Sequence, residues 1–131
     1  MNFLKLIFCL FFITVGYLLS AQDDSKRILF VGNSYTYFWN LPHTVDLMAE
    51  SQGIDLVTRQ STAGGANWGH HWKGERNLKS RAKIDDGDFD IIVLQNHSMS
   101  TIDRLDSLMH YGELLNEQII RTGAQTYLYM T

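Results

Sequence analysis

The chain has 131 residues, a formal net charge of −3 at pH 7 and a single cysteine. Once an amino-terminal export signal is set aside, that length holds one small domain and not two. The charges are scattered and form no basic stripe, so nucleic acid is not an expected partner, and the lone Cys9 excludes a disulfide framework or a thiolate metal site.

Lys5 is followed by an apolar stretch, Leu6 to Leu19, too short to span a bilayer comfortably. Leu19-Ser20-Ala21 then puts a small residue at the cleavage position, before the polar Gln22-Asp23-Asp24. This order predicts a secretory signal peptide over residues 1–21 and a secreted or periplasmic protein with no stable membrane span after cleavage. Leu19 stands where a small side chain is usual, which leaves an uncleaved anchor as the alternative. No cysteine follows the cleavage position, so a lipoprotein signal is not expected. Residues 22–26 read as a short linker and residues 27–131 as the domain.

Arg27 to Val31 predicts a fully buried strand, bounded by Gly32. A helix is expected from about Asn40, with Pro42 in its first turn and Gly53 just past its end, and with Leu41, Val45 and Met48 facing a core. Ile54 to Arg59 predicts a second strand. Ser61 to Gly69 reads as a loop, and His70 to Lys83 as a helix closed by Asp85-Asp86-Gly87-Asp88. Phe89 to Leu94 is a third strand and Asn96 to Thr101 a polar loop. Ile102, Leu105, Leu108, Met109, Gly112, Leu115 and Ile119 then make one apolar helical stripe, which Gly123 ends. Gln125 to Met130 is a fourth strand. This alternation predicts an α/β fold, a three-layer α/β/α sandwich on a parallel, flavodoxin-like sheet. Ligands of such sheets bind at the carboxyl ends of the strands.

Three loops leave those ends. The first, Gly32-Asn33-Ser34-Tyr35-Thr36, is compatible with ordinary turn and capping chemistry. It lacks the Lys of a phosphate-binding loop, and Thr36 occupies the second Gly position of an α/β-hydrolase elbow. The second, "STAGGANWGHHW", holds a glycine pair that either forms a flexible turn or aims an N–H into a site. The third, Gln95-Asn96-His97-Ser98, offers amides that either cap the next helix or donate to a developing oxyanion.

Together, Gly32-Asn33-Ser34, Gly64-Gly65 and "VLQNHS" resemble the first three sequence blocks of the SGNH (GDSL-type) hydrolase superfamily, and secreted bacterial members in particular. Asn33 replaces the more frequent Asp, and the third loop lacks the usual Gly-x-Asn spelling. The resemblance implies a serine ester hydrolase with Ser34 as nucleophile. Its oxyanion hole would be formed by the Ser34 N–H, the Gly65 N–H (or that of Gly64) and the side chain of Asn96 or Gln95. It implies no metal and no organic cofactor. Asn33, Tyr35 and Trp68 are candidate substrate contacts. Export, together with Tyr35, Tyr37, Trp39, Trp68 and Trp72, suits a carbohydrate ester such as an acetylated sugar, although aromatics equally supply core packing.

A serine hydroxyl needs an adjacent base, and the family supplies it as a His three residues after an Asp. None of His43, His70, His71, His97 and His110 has an Asp three positions earlier. His97 lies within reach of the third loop, but nothing in the family gives it this role. Adjacent His70 and His71 point apart and do not suggest a metal. "DDGDFD" lacks the alternating ligands of a calcium loop. The expectation is therefore a chain truncated before the Asp-x-x-His block and impaired as a hydrolase. A non-catalytic glycan-binding module on the same scaffold is the alternative, and a flavodoxin-type nucleotide binder the third reading.

Overall fold

The structure, a computed structural model, describes residues 25–131; the expected signal peptide and residues 22–24 of the linker lie outside the described residues. The described chain runs β1 (Lys26–Gly32), α1 (Ser34–Tyr37), α2 (Leu41–Ser51), β2 (Leu56–Thr62), α3 (Trp68–Lys73), a 3-10 turn (Glu75–Asn77), α4 (Ser80–Asp85), β3 (Ile91–Gln95), α5 (Ser100–Asp103), α6 (Leu105–Thr122) and β4 (Gln125–Tyr129). All strand pairs are parallel, in the order β2-β1-β3-β4. The α/β fold with a flavodoxin-like parallel sheet is thus as expected. From β1 the chain moves outward to β2, then crosses back to β3 on the other side, so the strand order switches between β1 and β3. That is where such sheets open a crevice.

The core lies between the sheet and the α3–α4–α6 layer. Leu29 and Val31 of β1 and Ile92 and Leu94 of β3 point the same way, as alternate residues of a strand must, and meet Trp68, Ile84, Leu115 and Ile119. Two glycines let the helices approach closely. A Cβ on Gly112 of α6 would come within 2.7 Å of the Trp68 ring, and one on Gly69 of α3 within 3.0 Å of the Tyr111 ring. The opposite face of the sheet is covered over β1 and β2, where α2 sets Pro42 inward and the Asp46 carboxylate accepts from the Thr58 hydroxyl at 2.8 Å.

Several local expectations shift. The inward side of α2 runs through Leu41, Pro42, Val45, Asp46 and Ala49, so Leu41 and Val45 face the core as expected while Met48 is exposed and Ala49 takes its place. β2 begins at Leu56 rather than Ile54 and extends through polar Gln60, Ser61 and Thr62, because its ladder with β1 continues to the Gly32–Thr62 pair. Pairing overrides a composition that reads as loop. The helix expected over His70 to Lys83 is broken by Gly74, Arg76 and Asn77, all with φ between 58° and 71°. The long helix starts at Leu105, so Ile102 falls in α5 and is exposed.

Candidate functional site

The turn after β1 is held from several sides. Gly32 ends the strand with no room for a side chain: a Cβ there would lie 2.7 Å from Gln95 Oε1 and closer still to Thr36 Oγ1. Gln95, the last residue of β3 and 1% exposed, accepts from the Asn33 N–H at 2.8 Å and from the Thr36 hydroxyl at 3.2 Å. Its amide donates back to the Asn96 carbonyl. The side chain that the sequence leaves as a possible oxyanion donor is therefore buried and engaged in clamping the turn.

Asn33 is also buried. Its Oδ1 accepts from the Tyr35 N–H at 3.1 Å, capping α1, while its Nδ2 donates to the carbonyls of Ala66 at 3.0 Å and Asn96 at 3.4 Å. One side chain thus fastens all three loops together. The capping function that the Gly-Asn-Ser sequence suggests belongs to Asn33 and not to Ser34. At 1% exposure Asn33 is a structural tie rather than a surface that a substrate touches.

Ser34 follows as the first residue of α1, half-buried, and its hydroxyl makes no hydrogen bond among the described residues. Its N–H and that of Gly65 are likewise without a protein acceptor, and Gly65 has φ +63°, a conformation that suits glycine. Asn96 is half-buried. Its Oδ1 accepts from the Trp68 N–H at 2.9 Å, and its Nδ2 has no acceptor among the described residues. Asn96 does not cap the next helix, whose N-cap is Met99. Of the two candidate amides, Gln95 is consumed by the scaffold and Asn96 has a donor to offer.

The carbonyl of Gly32, just before this turn, is held by a residue the sequence does not single out. His71 is fully buried, with Nε2 3.1 Å from the Gly32 oxygen and Nδ1 2.6 Å from Ser80 Oγ, which lies 2.9 Å from Ser61 Oγ. A carbonyl only accepts, so Nε2 carries the proton and Nδ1 accepts from Ser80, whose oxygen in turn accepts from Ser61. Burial lowers the His71 pKa to about 4, so the ring is neutral at pH 7. With both nitrogens bonded, it is a structural element and not a base for Ser34. Only its position, four residues after the Asn67 N-cap of a helix whose capping box pairs Asn67 with His70, hinted at an inward-facing ring.

The candidate substrate contacts separate. Tyr35 is exposed, whereas Trp68 is 8% exposed and belongs to the core, as do the buried parts of Trp72. His97 is exposed; its Nδ1 accepts from the Met99 N–H at 3.4 Å. Among the described residues no group of three or more His, Cys, Asp or Glu side chains is placed to hold a metal ion, and no helix is long and apolar enough to cross a membrane.

The scaffold has solved counterparts. A candidate SGNH hydrolase from Slackia heliotrinireducens is similar over 82% of this chain, with TM-score 0.68 and 25% identity. This chain spans 57% of that protein's length. A DUF4886 family protein from Bacteroides uniformis superposes over the same share with TM-score 0.59 and 21% identity, the match covering 49% of that chain. The lactose-specific IIB component domain of a phosphotransferase system from Streptococcus pneumoniae matches with TM-score 0.50 at 13% identity, covering 82% of this chain and 79% of that domain. The last two likenesses concern the fold alone. No family model and no curated protein matches the sequence.

Proposed function

We infer that the chain carries the nucleophile and oxyanion-hole loops of a serine ester hydrolase of the SGNH type. In the proposed reaction Ser34 Oγ attacks an ester carbonyl, the alcohol leaves, and water releases the acyl group from the serine. The tetrahedral oxyanion would be held by the N–H groups of Ser34 and Gly65 and by Asn96 Nδ2. One observation carries this reading: Asn33 ties the three loops together while those three donors and the Ser34 hydroxyl have no partner among the described residues. Half-buried donors at Ser34 and Asn96 and an exposed one at Gly65, left in this state beside an otherwise well-paired turn, suit a ligand oxygen. The Slackia neighbour, similar at 25% identity, supports a hydrolase-like scaffold. Export, through the signal sequence of residues 1–21, and an ester of small-molecule or carbohydrate type remain part of the proposal.

No imidazole bonds to the Ser34 hydroxyl among the described residues. Hydrolysis of p-nitrophenyl acetate by this chain is therefore expected to be slow. Losing the base of a serine triad costs on the order of 10⁶ in kcat, and oxyanion donors retain ~10³–10⁴ over water. A fluorophosphonate probe should still label Ser34 slowly, with mass spectrometry finding the adduct on that residue and none on Ser34→Ala. Labelling that is equal in the two proteins would end the esterase reading in favour of a glycan-binding module.

A further inference from the structure

Beside the glycine pair lies a concavity of about 310 Å³, of whose lining the proposed chemistry uses only Gly65. It is lined by Gly65 and Asn67 of the second loop, His97 of the third, and His70, Arg76 and Arg104 around them. Asp103 is the only acidic residue in its lining. Two guanidinium groups against one carboxylate leave the walls with a formal excess of one positive charge.

The cations are held there by unusual means. Arg76 has φ +58° and the following Asn77 +59°, in the left-handed region that side chains other than glycine rarely adopt. This backbone turns the Arg76 side chain back over the second loop, where Nη1 donates to the Gly64 carbonyl at 2.6 Å. Arg104 has neither an ion pair nor a hydrogen bond from its guanidinium among the described residues. The nearby Glu75 is engaged elsewhere, 3.4 Å from His70 Nε2 and 3.8 Å from Lys73 Nζ. His70 responds to the same field. Its pKa is lowered first by burial and then by Arg76, with smaller contributions from Lys73 and Arg104 in the same direction and from Glu75 against it. A neutral imidazole and two forked guanidiniums, neither in an ion pair among the described residues, form a wall suited to a planar anion.

We propose that this pocket binds a carboxylate carried by the substrate, so that the ester presented to Ser34 belongs to an acidic molecule and not to a neutral one. The proposal rests on the esterase reading only for the ester itself. The pocket shares Gly65 with the proposed oxyanion hole, so an anionic group seated between Arg76 and Arg104 would hold its carrier against the donors around Ser34. Preference for an acidic over a neutral carrier then comes from the guanidinium forks. Both arginines are solvent-exposed, so the preference weakens as salt rises.

The test is a titration of the full chain, in the Ser34→Ala background, with glucuronate, glucose and acetate at low salt, followed by calorimetry or NMR shifts. Glucuronate should bind at least tenfold more tightly than either control. Arg76→Gln and Arg104→Gln should each reduce that preference, and together abolish it, whereas Arg104→Lys should retain part of it. Equal binding of glucuronate and glucose, or a preference that survives the double variant, would overturn the pocket. Acetate binding as tightly as glucuronate would show a site for bare anions and remove the substrate assignment. Failure of fluorophosphonate labelling with the glucuronate preference intact would defeat the esterase reading and leave the pocket standing.

Discussion

The two flanks of β3 are built on opposite terms. On the β1 side, around Asn33, Gln95 and His71, the buried polar side chains have partners, and the backbone between Gly32 and Thr36 is gripped from β3, α3 and the second loop. On the β4 side, a cleft of about 380 Å³ opens between α6 and the sheet, lined by Trp68, Leu94, Met109 and Leu128 among others. Leu128 is 60% exposed and Met130 73%, and Leu105 and Met109 of α6 are also exposed. Two of the buried polar atoms that lack a partner among the described residues, Trp68 Nε1 and Thr126 Oγ1, are carried by residues lining this cleft. The lesson is that geometry is determined where buried polar groups must all be satisfied, since leaving one unpaired costs more than a packing defect at a surface. The nucleophile turn is on the determined side.

The comparison is broken most severely at Gln95. Gln95→Leu removes the acceptor of the Asn33 N–H and the Thr36 hydroxyl inside the crevice. Two orphaned donors at ~1–3 kcal/mol each predict a loss of about 2–6 kcal/mol. Denaturant unfolding would measure it; a loss below about 1 kcal/mol would show that the crevice is wetter or looser than its bonds imply.

Acid should probe the same side through His71. Its folded pKa of about 4 lies below the unfolded value of 6.5. Between those values the unfolded chain takes up a proton that the folded chain refuses, so stability falls as pH drops from about 6.5 to about 4 and levels off below. A shift of that size corresponds to about 3 kcal/mol at most. His71→Gln should flatten much of this slope, while His70→Gln should change it less. Equal slopes in all three proteins would show that the buried ring does not govern acid stability.

The smallest effect is expected on the other flank. Leu128→Lys places a charge on a side chain that is already solvent-exposed and should alter stability by no more than ~0.5 kcal/mol, while reducing self-association if that face is sticky. A loss of several kcal/mol would mean that the β4 flank is covered in solution.

Much of the architecture is legible in the chain alone. Runs such as Ile28-Leu29-Phe30-Val31 and Ile91-Ile92-Val93-Leu94, alternating with amphipathic segments, dictate a parallel sheet because only burial on both faces favours strands with no polar side. The three loops at the carboxyl ends follow from that topology, and with them Ser34 and the glycine pair. The order β2-β1-β3-β4 was decided by tertiary packing, as were the extension of β2 through Ser61 and the left-handed run at Arg76 and Asn77. These depend on pairing partners and contacts distant in sequence, which no local pattern encodes. Gln95 and Asn96 are neighbours of like chemistry, and nothing in their order says which one faces inward. The pleat of β3 settles it: the last residue of the strand points into the crevice beneath the turn, and the next, past the strand's end, has its oxygen anchored by Trp68 and its amide hydrogens without an acceptor among the described residues.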